Sequence, residues 1–234
     1  DKFVGDGVDL IYAIATPAAQ AAAGATADIP IVGCAITDYA ASGLVQDNDK
    51  PGTNVTGASD LTPVAEQLEM MQKVLPNVKK VGLLYCTAES NSDVQIKAAK
   101  KELDKLGLEY NEIQSVVESA VGKVDALYSP TDNTIAAGAS QVGQICKENK
   151  LPFVTGEEGM CKAGGLFTLS INYEDLGYAA GEMAVKILKG EATPEDMMMG
   201  HHHAGGCDCC GDGCGDGCGD GCDHDHKGGC GCGC

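Results

Sequence analysis

Short apolar runs bounded by turn residues alternate along this chain with stretches in which apolar residues return every three or four positions. VDLIYAIA (8–15) is a continuous β-prone run of the kind buried on both faces of a sheet. TPAAQAAAGA follows, with Thr16 placed to cap a helix and Pro17 at its first turn. IPIVGCAI (29–36) predicts the next strand, TDYAASGLV a short helix, and PGTNVTGAS (51–59) a turn-rich stretch with β-branched residues inside it. TPVAEQLEMMQKVLP reads as an amphipathic helix ended by Pro76, with Leu68, Met71 and Leu75 on one face.

The rhythm then repeats. KKVGLLYC predicts a strand, and SNSDVQIKAAKKELDKLG a helix closed by Gly107. NEIQSVVESAVG predicts a helix, VDALYSP a strand, and TDNTIAAGASQVGQICKENK one long helix. LPFVTG and GGLFTLSI read as strands, and YEDLGYAAGEMAVKILKG as a helix with Gly190 past its end. Strands separated by helices of ten or more residues require crossover connections. The class is therefore α/β with parallel sheets.

In such sheets ligands bind beyond the carboxyl ends of the strands, where the following helices point their amino ends. That rule nominates Thr16 and Pro17, Thr37 and Asp38, Ser90 and Asn91, Thr131, Asp132 and Asn133, and Glu157 with Glu158. For an amino-acid ligand, helix amides and the Thr16 and Ser90 hydroxyls suit a carboxylate, while Asp132 or Glu157 suits an ammonium group. The competing role for each is a plain helix cap, which Ser, Thr, Asp and Asn prefer. Tyr12, Tyr39 and Tyr85 are candidates to stack on an aromatic ligand, with core or edge packing as their alternative role.

Charge narrows the classes. Acidic residues outnumber basic ones 34 to 16, and no arginine occurs. A nucleic-acid partner is not expected, because no basic face exists to neutralise phosphates. No segment reads as membrane-spanning, since the most apolar stretch, LIYAIATPAAQAAAGA, is mostly alanine and broken by Pro17. An enzyme is not expected either. The first 200 residues hold no histidine to act as a base, no GxSxG and no GxxxxGK[ST] phosphate loop. Cys34, Cys86, Cys146 and Cys161 are widely spaced and read as small buried hydrophobes rather than a disulfide framework.

Several ordered blocks carry a likeness. DLIYAIATPAAQAA, PGTNVTGASDLTPVAEQLEMMQKVLPNVKKVGLLY, ESNSDVQIKAAKKELDKLGLE, VGKVDALYSPTDNTIA and GEMAVKILKGEATPEDM together resemble the ABC-transporter substrate-binding family, in the branch linked to tryptophan or tyrosine uptake. The resemblance runs over about residues 1–197 and implies a type I periplasmic-binding-protein fold of two α/β lobes closing on a small solute. On that pattern the first lobe takes residues 1–59 and 171–197, and the second takes 60–170. The chain crosses near Gly57–Asp60 and again near Ser170–Asn172, which adds Asn172 to the candidate site.

The resemblance also implies permease subunits as partners and an extracytoplasmic lipoprotein in the full-length family member. Its lipid anchor would precede Asp1, because DKFVGDGVDL opens as the end of a helix running into a strand. The family carries a further strand–helix–strand unit there, so the first lobe is expected to be incomplete. A strand between Gly107 and Asn111 is expected to be nearly missing.

Residues 198–234 do not fit that pattern. They form a low-complexity tail, expected to be disordered, that holds all five histidines and nine of the thirteen cysteines. Cys210, Cys214, Cys218 and Cys222 recur every fourth position with Gly-Asp-Gly between them. Cys207 and Cys209 precede them, and Cys230, Cys232 and Cys234 alternate with glycine. With His201, His202, His203, His224 and His226 these thiolates and imidazoles suit Zn²⁺, Cu⁺ or Ni²⁺, at most about three tetrahedral ions. No cofactor is expected for the body.

The favoured reading is a solute-binding component of an importer, taking an amino-acid-like ligand and carrying a metal-binding tail. The alternative is a metal-buffering or scavenging protein for which the receptor-like body is only a carrier.

Overall fold

The computed structural model describes residues 1–197 except Ser115, together with the backbone of Gly200–His201. Two four-stranded sheets organise them, and every pairing within either sheet is parallel.

The first sheet has the order β1-β2-β3-β8, from β1 (Ile11–Ile14), β2 (Ile31–Ile36), β3 (Val55–Ser59) and β8 (Gly200–His201). A short helix α1 (Lys2–Gly5) leads into β1, as the opening residues predict. Helix α2 (Thr16–Ala25) follows β1, and Ala19 packs with Ile11, Ala13, Ile31 and Ile36 on one face of the sheet. The other face is covered by α8 (Tyr173–Leu188), whose Leu176, Ala180, Ala184 and Ile187 bury against Val32, Cys34 and Ala58. Their spacing of four, four and three residues is the apolar stripe the sequence predicts.

Strand β1 is not buried on both faces, contrary to the sequence reading. Ile11 and Ala13 are covered by α2, whereas Tyr12 is 40% exposed and Ile14 63%. The reason is positional. Among the described residues β1 pairs with β2 alone, and α8 lies mainly over β2 and β3, reaching β1 only where the Tyr12 hydroxyl donates to Gly177 O at 3.3 Å. TDYAASGLV is likewise not a helix. It makes a single turn, in which Ser42 N donates to Asp38 O and Leu44 N to Tyr39 O, before Gly43 at φ +70° reverses the chain.

The second sheet has the order β5-β4-β6-β7, from β4 (Lys80–Leu84), β5 (Glu109–Ile113), β6 (Ala126–Ser129) and β7 (Phe153–Thr155). Helices α3 (Val64–Val74) and α4 (Ser90–Leu106) cover one face. Leu68, Met71, Ile96, Ala99 and Leu103 are sealed there against Val81, Leu83 and Tyr128. Full burial of each larger aliphatic side chain contributes about 1.5–3 kcal/mol. The opposite face is covered by α5 (Asn133–Ala137), α6 (Ala139–Glu148) and α7 (Glu158–Gly164), with Ile135, Val142 and Met160 inside.

Four sequence expectations change in this half. Residues 109–113 form a full strand, registered from Lys80↔Glu109 to Leu84↔Ile113, and the helix expected over 111–122 shrinks to a 3₁₀ turn at Val117–Ala120. Gly107, left-handed at φ +70°, returns the chain beside the open edge of β4, and pairing there outweighs helix propensity. The long helix over 131–150 breaks at Gly138 into α5 and α6. GGLFTLSI makes one bridge, Val154↔Phe167, instead of a strand. Helix α7 was not anticipated, because EEGMCKAGG is too rich in glycine to show a helical period.

Candidate functional site

The carboxyl ends of both sheets open onto one cleft of about 320 Å3. From the first sheet come Ile14, Ala15 and Thr16 after β1, Ala35 and Thr37 after β2, and Asp60 after β3. From the second come Asn91 on α4, Thr131, Asp132, Asn133 and Ala136 after β6, and Glu157 after β7, with Tyr173 at the start of α8. A larger concavity of about 570 Å3 lies among Leu75, Val78, Val124 and Pro152. It sits at the amino ends of β4, β6 and β7, where no helix amino terminus is available to a ligand.

The lining is lopsided in charge. Asp60, Asp132 and Glu157 contribute carboxylates, and among the described residues no Lys, Arg or His joins them. Two of the three are already engaged as caps. Asp132 accepts from Cys86 N (2.7 Å), Ser92 Oγ (2.7 Å) and Ile135 N (2.8 Å), which caps α5 and ties it to the loop after β4. Glu157 caps α7 through Gly159 N (2.6 Å) and Met160 N.

Asp60 differs. It is 5% exposed, and its side-chain partners among the described residues are two hydroxyls, Thr37 Oγ1 at 3.0 Å and Tyr173 at 3.2 Å. Burial raises its pKa above the ordinary carboxylate value, the two hydroxyl bonds offset part of that, and the field of Glu157 adds to the rise. An ammonium group brought beside it would relieve the cost of that buried charge.

The amino ends of the helices are also unequal. Those of α5 are occupied from within, because the buried Glu89 accepts from Asn133 N (3.0 Å), Thr134 N (2.8 Å) and the side chains of Asn133 and Thr134. Burial pushes the Glu89 pKa up, and these donors together bring it below the ordinary value. Helix α2 has no side-chain cap, and Ala15 ahead of it is held at φ +71°. Its open amides and positive dipole end face the cleft at Thr16. Thr16, expected to be the cap, is instead the first helical residue.

Of the nominated residues, Thr16, Thr37, Asn91, Thr131, Asp132, Asn133 and Glu157 meet in the lining, while Pro17, Asp38, Ser90, Glu158 and Asn172 do not. Asn172 caps α8 through Glu174 N at 2.9 Å. Asp38 binds Ala41 N and Asn48 within its own turn. Ser90 meets Gln20 of α2 across the mouth at 3.4 Å. Tyr39 is sealed in the first lobe with its hydroxyl on Ala58 O, Tyr85 pairs with Glu112, and Tyr12, 40% exposed on β1, donates to Gly177 O of α8 at 3.3 Å.

Sequence reasoning missed Asp60 and Tyr173 as site residues. Both stand at the two crossing points it had located, and each lies beside a better helix-capping or turn residue. Cys34 and Cys146 are buried as expected, but Cys86 and Cys161 are only partly so. Among the described residues no group of three or more His, Cys, Asp or Glu is placed to hold a metal, and no helix is long and apolar enough to cross a membrane. Apart from the backbone of His201 in β8, the nominated tail ligands lie outside the described residues.

Two α/β lobes with a ligand-sized cleft at facing strand ends define a two-lobed solute receptor. Comparison with known proteins gives the family. The model of the ABC transporter substrate binding protein family matches residues 1–203, and the chain belongs to that family. A tyrosine-binding protein of Clostridioides difficile is 44% identical over 200 residues, which are 82% of this chain and 58% of that protein's length.

Among solved structures, an ABC domain from Streptococcus pneumonia in complex with L-Trp superposes with a TM-score of 0.83 at 40% identity, covering 86% of this chain and 70% of that one. The ligand-free, open structure of a Clostridium difficile substrate-binding protein with adhesive properties superposes with 0.64 at 44% identity and the same coverages. The chain thus follows the L-Trp complex more closely, although the open structure is nearer in sequence.

Proposed function

We propose that this chain is the ligand-recognition part of an ABC importer's substrate-binding protein and that it takes an aromatic α-amino acid. The observation that carries the reading is the buried Asp60 carboxylate in a cleft that, among the described residues, is lined by three acidic side chains and no cation. A ligand must bring the positive charge, and Asp60 with the field of Glu157 receives it. The ligand carboxylate goes to the open amino end of α2, since α5 is filled by Glu89. Ile14, Ala15, Ala35, Ala136 and the Tyr173 ring supply apolar wall for a side chain. The names of the two relatives, tyrosine-binding and bound to L-Trp, support an aromatic one.

The working context is extracytoplasmic, with permease subunits as partners and a lipid anchor to the membrane. The tail is a separate metal-binding module that takes Zn²⁺, Cu⁺ or Ni²⁺ on its thiolates and imidazoles. Its cysteine spacing also favours a second reading, in which metal buffering is the main role and the receptor body a carrier.

Calorimetric titration of the chain with L-tyrosine, L-tryptophan and 3-(4-hydroxyphenyl)propionate tests the first reading. The amino acids bind, and the analogue lacking the ammonium binds at least about 100-fold more weakly. Equal binding of the analogue removes Asp60 from its role. Binding of none of them at millimolar concentration contradicts the reading as a whole.

A further inference from the structure

Asn91 opens α4 and is 4% exposed, yet it borders the cleft. Its Nδ2 donates to Glu89 Oε2 and to Thr131 O, both at 3.2 Å. A carboxylate and a carbonyl can only accept, so these partners fix which end of the amide is nitrogen. The oxygen is therefore turned away from them, and Asn91 Oδ1 is buried without a donor among the described residues.

The clamp around it is itself rigid. Gln95 Nε2 donates to Thr131 O (3.1 Å) and Oγ1 (2.6 Å), and Gln95 Oε1 accepts from Thr131 N (3.2 Å). Glu89 is held in turn by the four donors of Asn133 and Thr134. The amide cannot turn over without breaking this network.

An unpartnered buried acceptor on a residue that borders a cleft asks for a donor, and a ligand can bring one. The carboxylates already suit the ammonium group, and they stand on other elements, Asp60 after β3 and Glu157 after β7. Asn91 is neutral and belongs to the opposing α4 wall beside Thr131 and Asn133. We infer that Asn91 is a specificity-determining residue whose Oδ1 accepts a hydrogen bond from a neutral donor on the ligand's ring, a phenol O–H or an indole N–H, with Glu89 as the residue that positions it. The inference rests on the amino-acid reading of the cleft and adds to it a rule about side chains: a ring with a polar hydrogen is taken, and the same ring without one is rejected. The rejection follows because a ligand that fills the cleft without supplying a donor leaves Oδ1 both dry and unpaired.

The test uses the full chain and the pair L-tyrosine and L-phenylalanine, which differ by the one hydroxyl. Calorimetry on the unaltered protein gives phenylalanine at least about tenfold weaker than tyrosine. In Asn91→Leu, and in Asn91→Ala should the first variant lose its circular-dichroism signature of folding, the ratio falls to within about twofold while both ligands still bind. Equal affinities in the unaltered protein overturn the inference. So does a variant that weakens both ligands in proportion, because that is the behaviour of a purely structural residue. Failure of both amino acids to bind the unaltered chain is a different result. It defeats the amino-acid reading first and this inference with it.

Discussion

The Tyr173 hydroxyl donates to Asp60 Oδ2 at 3.2 Å, joining two residues 113 positions apart, one at each point where the chain passes between lobes. The bond places an acidic group and an aromatic ring side by side in the cleft, and among the described residues Asp60 has hydroxyl donors and no counter-ion.

Asp60→Asn should therefore separate binding from stability. Affinity for an aromatic amino acid falls by at least about 100-fold, while the unliganded protein becomes more heat-stable at neutral pH. The sign follows from the raised pKa: the native state favours the protonated acid, so ionised Asp60 costs stability once pH rises through its native value. The gain in this variant should shrink as pH falls and vanish below the ordinary carboxylate range. Thermal unfolding from pH 3 to pH 8 reads this directly, and a gain that grows toward acid would reverse the assignment.

Glu89 carries the opposite sign. Its pKa is lowered, so its contribution is present above the ordinary carboxylate value and is lost as pH falls through its lower native value. Glu89→Gln leaves donors facing a donor at the amino end of α5 and should cost about 1–3 kcal/mol at pH 7, measured by denaturant unfolding. The deficit against the unaltered chain should narrow at low pH.

Gly57 sits at φ +153° opposite Gly33 in the first sheet, and a Cβ there would lie 2.1 Å from Gly33 O. Gly57→Ala should destabilise by more than about 2 kcal/mol, since backbone atoms cannot step aside. Gly24→Ala is the control. Gly24 lies in helix α2 with open space where a Cβ would be, and that variant should stabilise by about 0.5–1 kcal/mol.

For the tail, Zn²⁺ titration of the full chain and of a version ending at Gly200 should show tight sites only in the former, weakening as pH falls and the thiolates and imidazoles protonate. Equal stoichiometry in both would place the metal in the body.

Much of this architecture was legible because local and global signals agree. Leu68, Met71 and Leu75 repeat at helical spacing, and Gly107 ends α4 where the sequence places it. The failures are of one kind. Strand β5 exists because β4 offers a free edge, and β1 is half-exposed because α8 lies elsewhere. Neither fact is written in residues 109–113 or 11–14 themselves. In the site, the strand-end rule located the loops and seven of the lining residues but not Asp60 or Tyr173. Asn172, an excellent cap, takes the helix amides, which leaves its neighbour Tyr173 to face Asp60. Glu89 escaped notice because the donors on Asn133 and Thr134 that hold it lie more than forty positions away.

The central claim is that Asp60 receives a ligand ammonium group while α2 receives the carboxylate, and a crystal structure of the chain grown with saturating L-tyrosine tests it most directly. The account predicts the ligand nitrogen about 3 Å from an Asp60 oxygen and the ligand carboxylate at the amino end of α2, beside Thr16. A ligand lying the other way round, with its carboxylate nearer Asp60, or one bound outside the cleft, would contradict it.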